Sequence, residues 1–260
     1  MTGLAASQTA FGRQLRLWRS WARVSQLELA VRTGLSQRHL SFIETGRSRP
    51  GTDVVLRIAA ALDLPLRDRN RLLESAGLPG HYPEVALTDG ASAPFRTAIA
   101  RLLEAHEPYP AFVLDRWWDV VDANLAGRRL FPASTGGLPN AVEAFLAPGG
   151  MRETIENFPE VAGMYLRRLR EEVAEASDER SLRLLARAKE LLADVDLGTG
   201  AGDGLVICPR LHLGGEVVST ATMVARFGAT REVTLDELRV ELVFPADDAA
   251  RAFFERQQPR

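Results

Sequence analysis

Residues 25–49, SQLELAVRTGLSQRHLSFIETGRSR, decide the fold of the first third of this chain. Ser25 followed three positions later by Glu28 is a capping-box pattern, which predicts the start of a helix. Gly34 stands where a helix commonly ends in a left-handed residue. Ser36 is then suited to cap a second helix. The stretch therefore predicts two short helices joined by a tight turn.

Apolar residues repeat at helical spacing in both predicted helices, and a small residue lies where the helices would cross. They are Leu27, Ala30 and Val31 in the first helix and Leu40 and Ile43 in the second. This pattern is the helix-turn-helix, whose second helix enters the DNA major groove. A helix hairpin with a glycine turn also occurs in other all-α proteins, where an arginine-rich face is only solvated. The capping box, small residue, turn glycine and apolar pair together favour the helix-turn-helix.

The order of key residues resembles the Cro/repressor-like XRE family of bacterial regulators over about residues 10–77. The matching residues are Gln26, Ala30, Gly34, Leu40, Ile43, Glu44 and Gly46. The resemblance implies a five-helix lambda-repressor-like fold and binding to double-stranded DNA. It also implies a phosphate contact for Gln26, and a structural ion pair between Arg19 and Glu44.

Polar and basic residues in and after the second helix are the predicted DNA contacts. The resemblance places Gln37, Arg38 and Ser41 opposite the bases, and glutamine and arginine can read adenine and guanine. Arg47 and Arg49 follow the helix and suit phosphates, which position a protein without reading sequence. The predicted DNA-binding set is Gln26, Ser36, Gln37, Arg38, His39, Ser41, Arg47 and Arg49. His39 could equally be a surface histidine, and Phe42 could touch a thymine methyl or a dimer mate.

The charge distribution agrees with a DNA-binding N-terminal part. Residues 1–80 contain 12 arginines and 6 acidic residues, a net charge of +6. Residues 81–260 contain 20 basic and 28 acidic residues, a net charge of −8. A basic module joined to an acidic remainder is expected when only one domain binds DNA.

Several protein classes are disfavoured by composition and motifs. Cys208 is the single cysteine, so no internal disulfide forms, and this fits a reducing cytoplasm. The sequence has neither a signal peptide pattern nor an apolar run long enough to span a membrane. The four histidines have no metal-ligand spacing, and no nucleophile or nucleotide motif occurs. GTGAGDGLVIC precedes a strand-like run and therefore does not match a dinucleotide loop. We expect a cytoplasmic protein that is not an enzyme and has no metal or cofactor.

The pattern beyond the turn predicts three domain segments. The first, 1–77, has a helix over about residues 9–22 and two further helices after Pro50. The second, 78–92, is rich in glycine and proline and is the predicted linker. The third, 93–260, begins with a helix and two strand-like runs, AFVLD and WWDVVD, and has a helical middle. It returns to strands at LVICP, GEVVSTATMVARFG and LRVELVFP and closes with the helix DDAARAFFERQ.

The third segment resembles the MmyB-like ligand-binding domain over most of residues 94–250. The segments that carry the resemblance are PAFVLDRWWDVVDAN, YLRRLREE and TREVTLDELRVELVFPADDAA. The resemblance implies an α/β PAS-like sensor fold, and a fatty acid or similar apolar effector. The glycine-rich insert at Ala201 to Gly204 departs from the family pattern, which puts the loop geometry there in doubt.

A ligand cavity between the sheet and its covering helices would be lined by six residues of the third segment. Side chains alternate along strands, so Phe112 and Leu114 share one face, and Trp118 and Val120 share another. A covering helix supplies the rest, and an arginine there could hold a carboxylate. The predicted ligand-binding set is Phe112, Leu114, Trp118, Val120, Met164 and Arg167. Such residues are also ordinary core, and arginines beside Glu171 and Glu172 are also an ordinary solvated face.

Together these patterns predict a homodimeric, sequence-specific transcriptional regulator whose C-terminal domain senses a small lipid-like effector. The alternative prediction is a regulator whose C-terminal domain docks a partner protein and binds no small molecule. An enzyme with an accessory DNA-binding domain would need a nucleophile and base that the sequence does not offer.

Overall fold

The computed structural model of the chain describes residues 2–131, 137–176, 178–197 and 207–257. The chain forms two compact units, each built from two stretches of sequence. The N-terminal unit comprises Met1–Val85 and Ala229–Asp236, and the C-terminal unit comprises Ala86–Gly228 and Glu237–Arg260. The predicted linker, 78–92, is divided between the two units, and no local sequence pattern indicated that residues 229–236 return to the first.

The N-terminal unit contains the five helices that the sequence predicted for the first 77 residues. They are α1 (Thr2–Trp21), α2 (Gln26–Thr33), α3 (Gln37–Glu44), α4 (Thr52–Ala61) and α5 (Leu66–Ser75). Helix α1 begins before the predicted position. One apolar core holds the helices together, and its fully buried members include Phe11, Leu15, Leu29, Leu40, Ile43, Val55, Ile58, Leu72 and Leu73.

The C-terminal unit is an α/β structure around a five-stranded antiparallel sheet with strand order β2-β1-β5-β4-β3. The strands are β1 (Ala111–Leu114), β2 (Val120–Ala123), β3 (Arg210–Leu213), β4 (Glu216–Ala225) and β5 (Arg239–Pro245). The helices that precede β3 are α6 (Ala93–Ala105), α7 (Leu125–Leu130), α8 (Ala141–Leu146), α9 (Phe158–Ala176) and α10 (Glu179–Leu191). The last helix of this unit is α12 (Asp248–Arg256). Helix α11 (Val233–Glu237), between β4 and β5, lies in the N-terminal unit except for Glu237. Single-turn 3-10 helices lie at Gly90–Ser92 and Met151–Thr154.

Two sequence predictions about strands were wrong. Trp118 does not lie on a strand: it occupies the turn between β1 and β2 with φ +66°, so it shares no strand face with Val120. Asp115 holds that turn because its carboxylate accepts the backbone N–H groups of Trp117 and Asp119. The run LVICP is also not a strand where it is described, at residues 207–209, and β3 begins at Arg210. The glycine-rich insert, including Ala201 to Gly204, lies outside the described residues.

The two faces of β5 contact different helices. Leu238 and Val240 line a groove with residues of α6, and the ring of Phe244 packs on His106 just after α6. Arg239, Glu241 and Val243 alternate with these residues and face the other way, where Arg168 of α9 reaches Glu241. The main core lies on this second side, between the sheet and α8, α9 and α10.

Candidate DNA interface and ligand cavity

The position of α3 is fixed at both of its ends. Gly34 ends α2 with φ +67°, which a side chain would disfavour. The Ser36 hydroxyl accepts the backbone N–H of His39 and so caps the N-terminus of α3. Leu40 and Ile43 are buried in the core. These constraints hold one face of α3 inward and leave the opposite face at the surface.

Most of the predicted DNA-contacting residues lie on α3 and in the loop after it, whereas Ser36 caps α3 and Gln26 begins α2. Gln37, Arg38, Arg47 and Arg49 are exposed, whereas His39 and Ser41 are half-buried. Arg49 donates to the carbonyl of Gly77 at 3.2 Å, which ties the loop to the end of α5.

Phe42 lies between two of these arginines. The guanidinium carbon of Arg38 is 5.2 Å from the centre of the Phe42 ring, and that of Arg47 is 5.9 Å from it. A cation is attracted to an aromatic face at such distances. The ring thus supports both guanidinium groups beside the exposed face of α3.

A buried carboxylate joins α1, α2 and α3. Glu44 is 5% exposed and accepts Arg19 Nε at 2.8 Å. Gln26 Nε2 also donates to Glu44, at 3.0 Å. An amide nitrogen carries two hydrogens, so one donor of Gln26 remains for another acceptor such as a phosphate.

Gly12 brings α1 into close contact with the end of α3. A Cβ atom at position 12 would lie 2.2 Å from the carbonyl oxygen of Glu44. No larger side chain fits there without moving a helix backbone. The absent side chain therefore sets the spacing at which Arg19 and Glu44 meet.

The C-terminal unit contains a small apolar cavity between β4, β5 and the covering helices. Its volume is about 30 Å³. Its polar edge is formed by Tyr165, Thr220 and Thr222. The apolar lining residues are Phe112, Leu130, Phe145, Met151, Ile155, Val161, Pro209, Leu211 and Val243.

A cluster of buried charges lies beside this cavity on β5 and α9. Arg168 donates to Glu241 at 2.8 Å and to Glu172 at 3.1 Å. Arg239 Nη1 donates to Glu172 at 3.2 Å, and Trp118 Nε1 donates to the same carboxylate at 2.7 Å. The two arginines and two glutamates balance in charge. The cluster is therefore neutral overall although it is largely buried.

Arg239 is incompletely satisfied within this cluster. It is 2% exposed, and among the described residues its Nε and Nη2 atoms have no hydrogen-bond partner, although Nε lies 3.7 Å from Glu241. Its guanidinium carbon is 4.4 Å from the centre of the Trp118 ring. Burial lowers the pKa of Arg239, and the neighbouring carboxylates oppose this shift. Buried unpaired donors are costly, so this arginine is suited to an additional acceptor.

Tyr165 connects the cavity to the charge cluster. It lines the cavity, and its ring packs on Trp118 at 5.5 Å and on Phe145 at 5.2 Å. Burial raises the pKa of its hydroxyl, and the charge of Glu241 raises it further. The hydroxyl therefore stays protonated and can donate a hydrogen bond at the polar edge of the cavity.

The structure places the predicted ligand-binding residues in three environments. Phe112 lines the cavity, whereas Leu114, Trp118 and Val120 are buried in the surrounding core. Met164 is partly buried against the same core. Arg167 is exposed, and the neighbouring Arg168 is the arginine that reaches the sheet.

Sequence reasoning missed Tyr165 at the polar edge of the cavity, and it missed Arg239 and Glu241 in the charge cluster beside it. A signal was present in β5, where arginine, glutamate and valine alternate at positions 239, 241 and 243. Two charged residues and a valine on the same face of a strand are unusual for a face exposed to solvent. The alternating apolar residues on the opposite face of β5 obscured this signal.

In the described part of the chain, no group of three or more histidine, cysteine, aspartate or glutamate side chains is arranged to hold a metal ion. No helix among the described residues combines the length and apolar character that a bilayer span needs.

These features define a helix-turn-helix protein joined to an α/β domain with an apolar cavity. Residues 10–72 match the family described as "Helix-turn-helix domain". Residues 95–256, more than half of the chain, match the family described as "MmyB-like transcription regulator ligand binding domain". The chain belongs to this MmyB-like family, and the predicted helix-turn-helix and MmyB-like segments are confirmed.

A curated relative shares the helix-turn-helix description. The chain is 45% identical over 53 residues to the uncharacterized HTH-type transcriptional regulator y4dL of Sinorhizobium fredii (strain NBRC 101917 / NGR234). The match covers 20% of this chain and 27% of that relative. The chain thus spans only about a quarter of the relative's length.

Proposed function

We propose that this protein is a sequence-specific DNA-binding transcriptional regulator that acts as a homodimer. The exposed face of α3, with Arg38 on the helix and Arg47 and Arg49 beyond it, is the observation that carries the proposal. In a symmetric dimer two such helices would read half-sites about one helical turn apart. Since operators lie in the bacterial cytoplasm, the proposal includes a cytoplasmic location.

The roles within the interface are separable by chemistry. Gln37, Arg38 and Ser41 would read base edges, and Arg47 and Arg49 would hold phosphates. Gln26 would use its second amide hydrogen on a phosphate, while its first remains on Glu44. Ser36 is engaged as the helix cap through its hydroxyl oxygen and can still donate its own hydrogen.

Substitution of the arginines tests this proposal. Arg38→Ala should cost roughly 1–3 kcal/mol at one base position and relax the preference there. Arg47→Ala should weaken binding to all duplexes alike and reduce the slope of log affinity against log salt by about 1. Fluorescence anisotropy on operator and scrambled duplexes measures both effects.

A matched control is Arg170→Ala, which removes an exposed arginine of α9. It should leave operator affinity and its salt slope unchanged. An Arg38→Ala variant with unaltered operator preference would refute the assignment of α3 as the reading helix. Failure of the wild type to bind any duplex at low ionic strength would refute DNA binding itself.

We further propose that the C-terminal unit is a PAS-like sensor of a small apolar effector, a fatty acid or a similar molecule. The antiparallel sheet covered by helices, the apolar cavity and the unsatisfied donors of Arg239 support this. The apolar lining suits an acyl chain. Arg239 and the Tyr165 hydroxyl suit a carboxylate.

The size of the cavity gives the sensor a mechanism. Ligand sites commonly enclose about 300–1,000 Å³, whereas this cavity holds about 30 Å³. A fatty acid would therefore have to separate the covering helices from the sheet. A ligand shifts an equilibrium only by preferring one state, and a narrow cavity and one expanded around the ligand are two such states.

Native mass spectrometry of the purified protein, followed by titration with laurate, tests the effector. We expect a copurifying or added fatty acid to bind one per chain, and Arg239→Met to weaken binding about tenfold or more through loss of a charged hydrogen bond. Arg170→Met, which removes an exposed arginine of α9 outside the predicted ligand-binding set, should bind laurate like the wild type. Equal loss in both variants, or no binding by the wild type, would count against this effector.

A specific observation favours one alternative, a regulator controlled by a partner protein. An apolar groove of about 140 Å³ lies between α6 and the strands β4 and β5, and it is lined by Ile99, Leu102, Phe227, Leu238 and Val240 among others. Phe95 and Met223 are exposed on the same elements, with 39% and 62% of their surface accessible. Copurification of a protein without any small molecule would favour this function over the effector sensor.

A further inference from the structure

A segment of the chain between β4 and β5 belongs to the N-terminal unit. The backbone passes from the N-terminal unit at residue 85, returns at 229 and leaves again at 236. Strands β4 and β5 are hydrogen-bonded neighbours in the other unit. The two strands that border the apolar cavity are thus connected through a stretch that contacts α5 and residues 83–85 of the N-terminal unit. We name residues 229–236 the return segment.

Asp236 of the return segment supplies a cap that α5 lacks. The residue before α5 is Pro65, whose side chain cannot accept a hydrogen bond. Asp236 Oδ2 accepts the first backbone N–H of α5, that of Leu66, at 3.3 Å. Its other oxygen accepts the Thr230 hydroxyl at 2.6 Å, which fixes the carboxylate. A negative charge at a helix N-terminus is favoured by the helix dipole as well as by the bond.

Glu232 fastens the other side of the return segment. Its Oε1 accepts the backbone N–H of Val85 at 2.7 Å, and its Oε2 accepts that of Leu235 at 2.7 Å. The backbone N–H of Val233 donates to the carbonyl of Pro83 at 2.9 Å. The bonds to Val85 and Pro83 join residues about 150 positions apart.

Two apolar side chains of the return segment are buried as well. Val233 is 1% exposed and Leu235 is 4% exposed. An exposed loop would keep such side chains in water at a cost, so the burial holds the segment in place. The return segment is therefore a built part of the N-terminal unit.

A path of packed helices connects the return segment to the reading helix. Helix α5 packs against α1 and α4, and α1 packs against α3. The Arg19–Glu44 pair and the close approach at Gly12 both lie in the contact of α1 with α3. A displacement of the N-terminus of α5 would be passed to α3 through α1, because these helices share one core.

We propose that the return segment docks on the base of α5 and couples the state of the ligand cavity to the helix-turn-helix. The coupling half of this inference rests on the proposed effector. Thr220, Thr222 and Val243 line the cavity on the strands at either end of the segment. A ligand that separates α9 from these strands pulls on both ends of the segment and alters its hold on Leu66 and Val85. The chain with the return segment docked and the chain with it released are the two states for which the effector has different affinities.

Amide hydrogen exchange of the full-length chain tests the docking. Asp236→Ala should accelerate exchange of the Leu66 amide roughly five- to tenfold, as expected for a lost helix cap. Asp236→Asn, which keeps the shape and removes the charge, should give a smaller acceleration. The matched control is Asp247→Ala, since Asp247 caps α12 through the backbone N–H of Ala250 at 2.7 Å. Unchanged exchange at Leu66, or an equal acceleration in the Asp247 variant, would overturn the docking.

Addition of laurate to the same proteins tests the coupling. In the wild type, laurate should slow exchange in β4, change exchange at Leu66 and Val85, and shift operator affinity. In Asp236→Ala, laurate should still slow exchange in β4 while the shift in affinity falls by at least half. Laurate that protects β4 without altering Leu66 or Val85 would overturn the coupling. If laurate leaves exchange in β4 unchanged, the proposed effector is overturned, and the laurate-driven coupling with it. The docking is tested independently by amide exchange in the Asp236 variants without laurate.

Discussion

Glu44 shows how a single buried charge is made tolerable in the helix-turn-helix. With 5% of its surface exposed, the carboxylate has lost most of its hydration, and Arg19 and Gln26 replace the lost water. Removing one partner of such a pair destabilises a protein more than replacing both partners by apolar residues, because the remaining ion is buried without compensation. The network also lies behind α3, so it sets the angle at which the reading face is presented.

Replacing Arg19 by methionine should therefore destabilise the N-terminal unit. We expect a loss of about 3 kcal/mol, the low end of the range for a broken buried pair, because Arg19 is 21% exposed. Urea denaturation monitored by tryptophan fluorescence measures this loss. Arg16→Met removes an exposed arginine from the same helix and should change stability by less than about 0.5 kcal/mol.

A double substitution separates the charge from the packing. Adding Glu44→Gln to Arg19→Met should recover part of the loss, since the amide needs no counter-ion. If the double variant loses as much free energy of unfolding as the two single variants together, the two side chains do not act as a pair.

At the scale of residues, the sequence predicted positions better than orientations. The structure buries Leu29 in α2, whereas Leu27 and Val31, which share helical spacing with Ala30, are 58% and 75% exposed. Both faces of this short helix carry apolar residues, so periodicity could not select one. Arg167 and Arg168 pose the same problem, because one residue of helical rotation decides which of them reaches the sheet.

The N-terminus of α10 is held by one carboxylate that also fixes the turn between β1 and β2. Asp178 accepts the backbone N–H groups of Arg180 and Ser181 and pairs with Arg116 at 2.6 Å. It also accepts Trp117 Nε1 at 3.3 Å. Burial raises the pKa of Asp178, but the hydrogen bonds from Ser181 and Trp117 and the charge of Arg116 outweigh it and lower the pKa to about 2.

The lowered pKa predicts a defined loss of stability in acid. A carboxyl group with a folded pKa below its unfolded value of 3.8 stabilises the protein above about pH 4, and the effect is lost as the pH falls towards 2. Asp178→Asn should therefore be less stable than the wild type at pH 6, and the difference should narrow between pH 4 and pH 2.5.

Urea denaturation at several pH values measures this difference. Asp248→Asn is the control, because Asp248 lies in the first turn of α12 with its side chain 93% exposed. That variant should differ little from the wild type at any pH. A constant difference for Asp178→Asn across the acid range would contradict the assigned role of the carboxylate.

At the scale of elements, most helices were predictable and the polar interior was not. The caps at Ser25, Ser36 and Asn124 carry local signals, and each one stands at the start of its helix in the structure. The turn at Trp118 was not predictable, because a bulky residue rarely adopts positive φ and only the surrounding packing enforces it. The Arg239 cluster was hidden for a similar reason: its four charges come from two distant segments.

At the scale of the whole molecule, the order of the chain departs from the order of the folded units. Composition and charge correctly separated a basic helical part from an acidic α/β part. They carried no information on the return segment, since its contacts join residues as much as 170 positions apart. Local patterns cannot report such a contact. Only the burial of Val233 and Leu235 and the bonds of Asp236 and Glu232 make it favourable.

This topology predicts that the two units depend on each other unequally. The N-terminal unit includes the return segment, whose two ends are held by β4 and β5 only while the C-terminal unit is folded. For the C-terminal unit the segment is only the connection between β4 and β5. The entropic cost of closing such a connection changes slowly with its length, so a released segment should destabilise the C-terminal unit little. Destabilising the C-terminal unit should therefore weaken both units, whereas destabilising the N-terminal unit should weaken only itself.

Two matched leucine truncations test this asymmetry in the full-length chain. Leu29 in α2 is 0% exposed and Leu169 in α9 is 2% exposed, so each change to alanine should cost about 2–5 kcal/mol in its own unit. Hydrogen exchange should show Leu169→Ala accelerating amides in β5 and also those of Leu66 and Val85. Leu29→Ala should accelerate the α5 amides and leave β5 protected. Equal effects of the two variants on both units would indicate a single cooperative fold, and strictly separate effects would mean that the return segment contributes nothing to the stability of the helix-turn-helix.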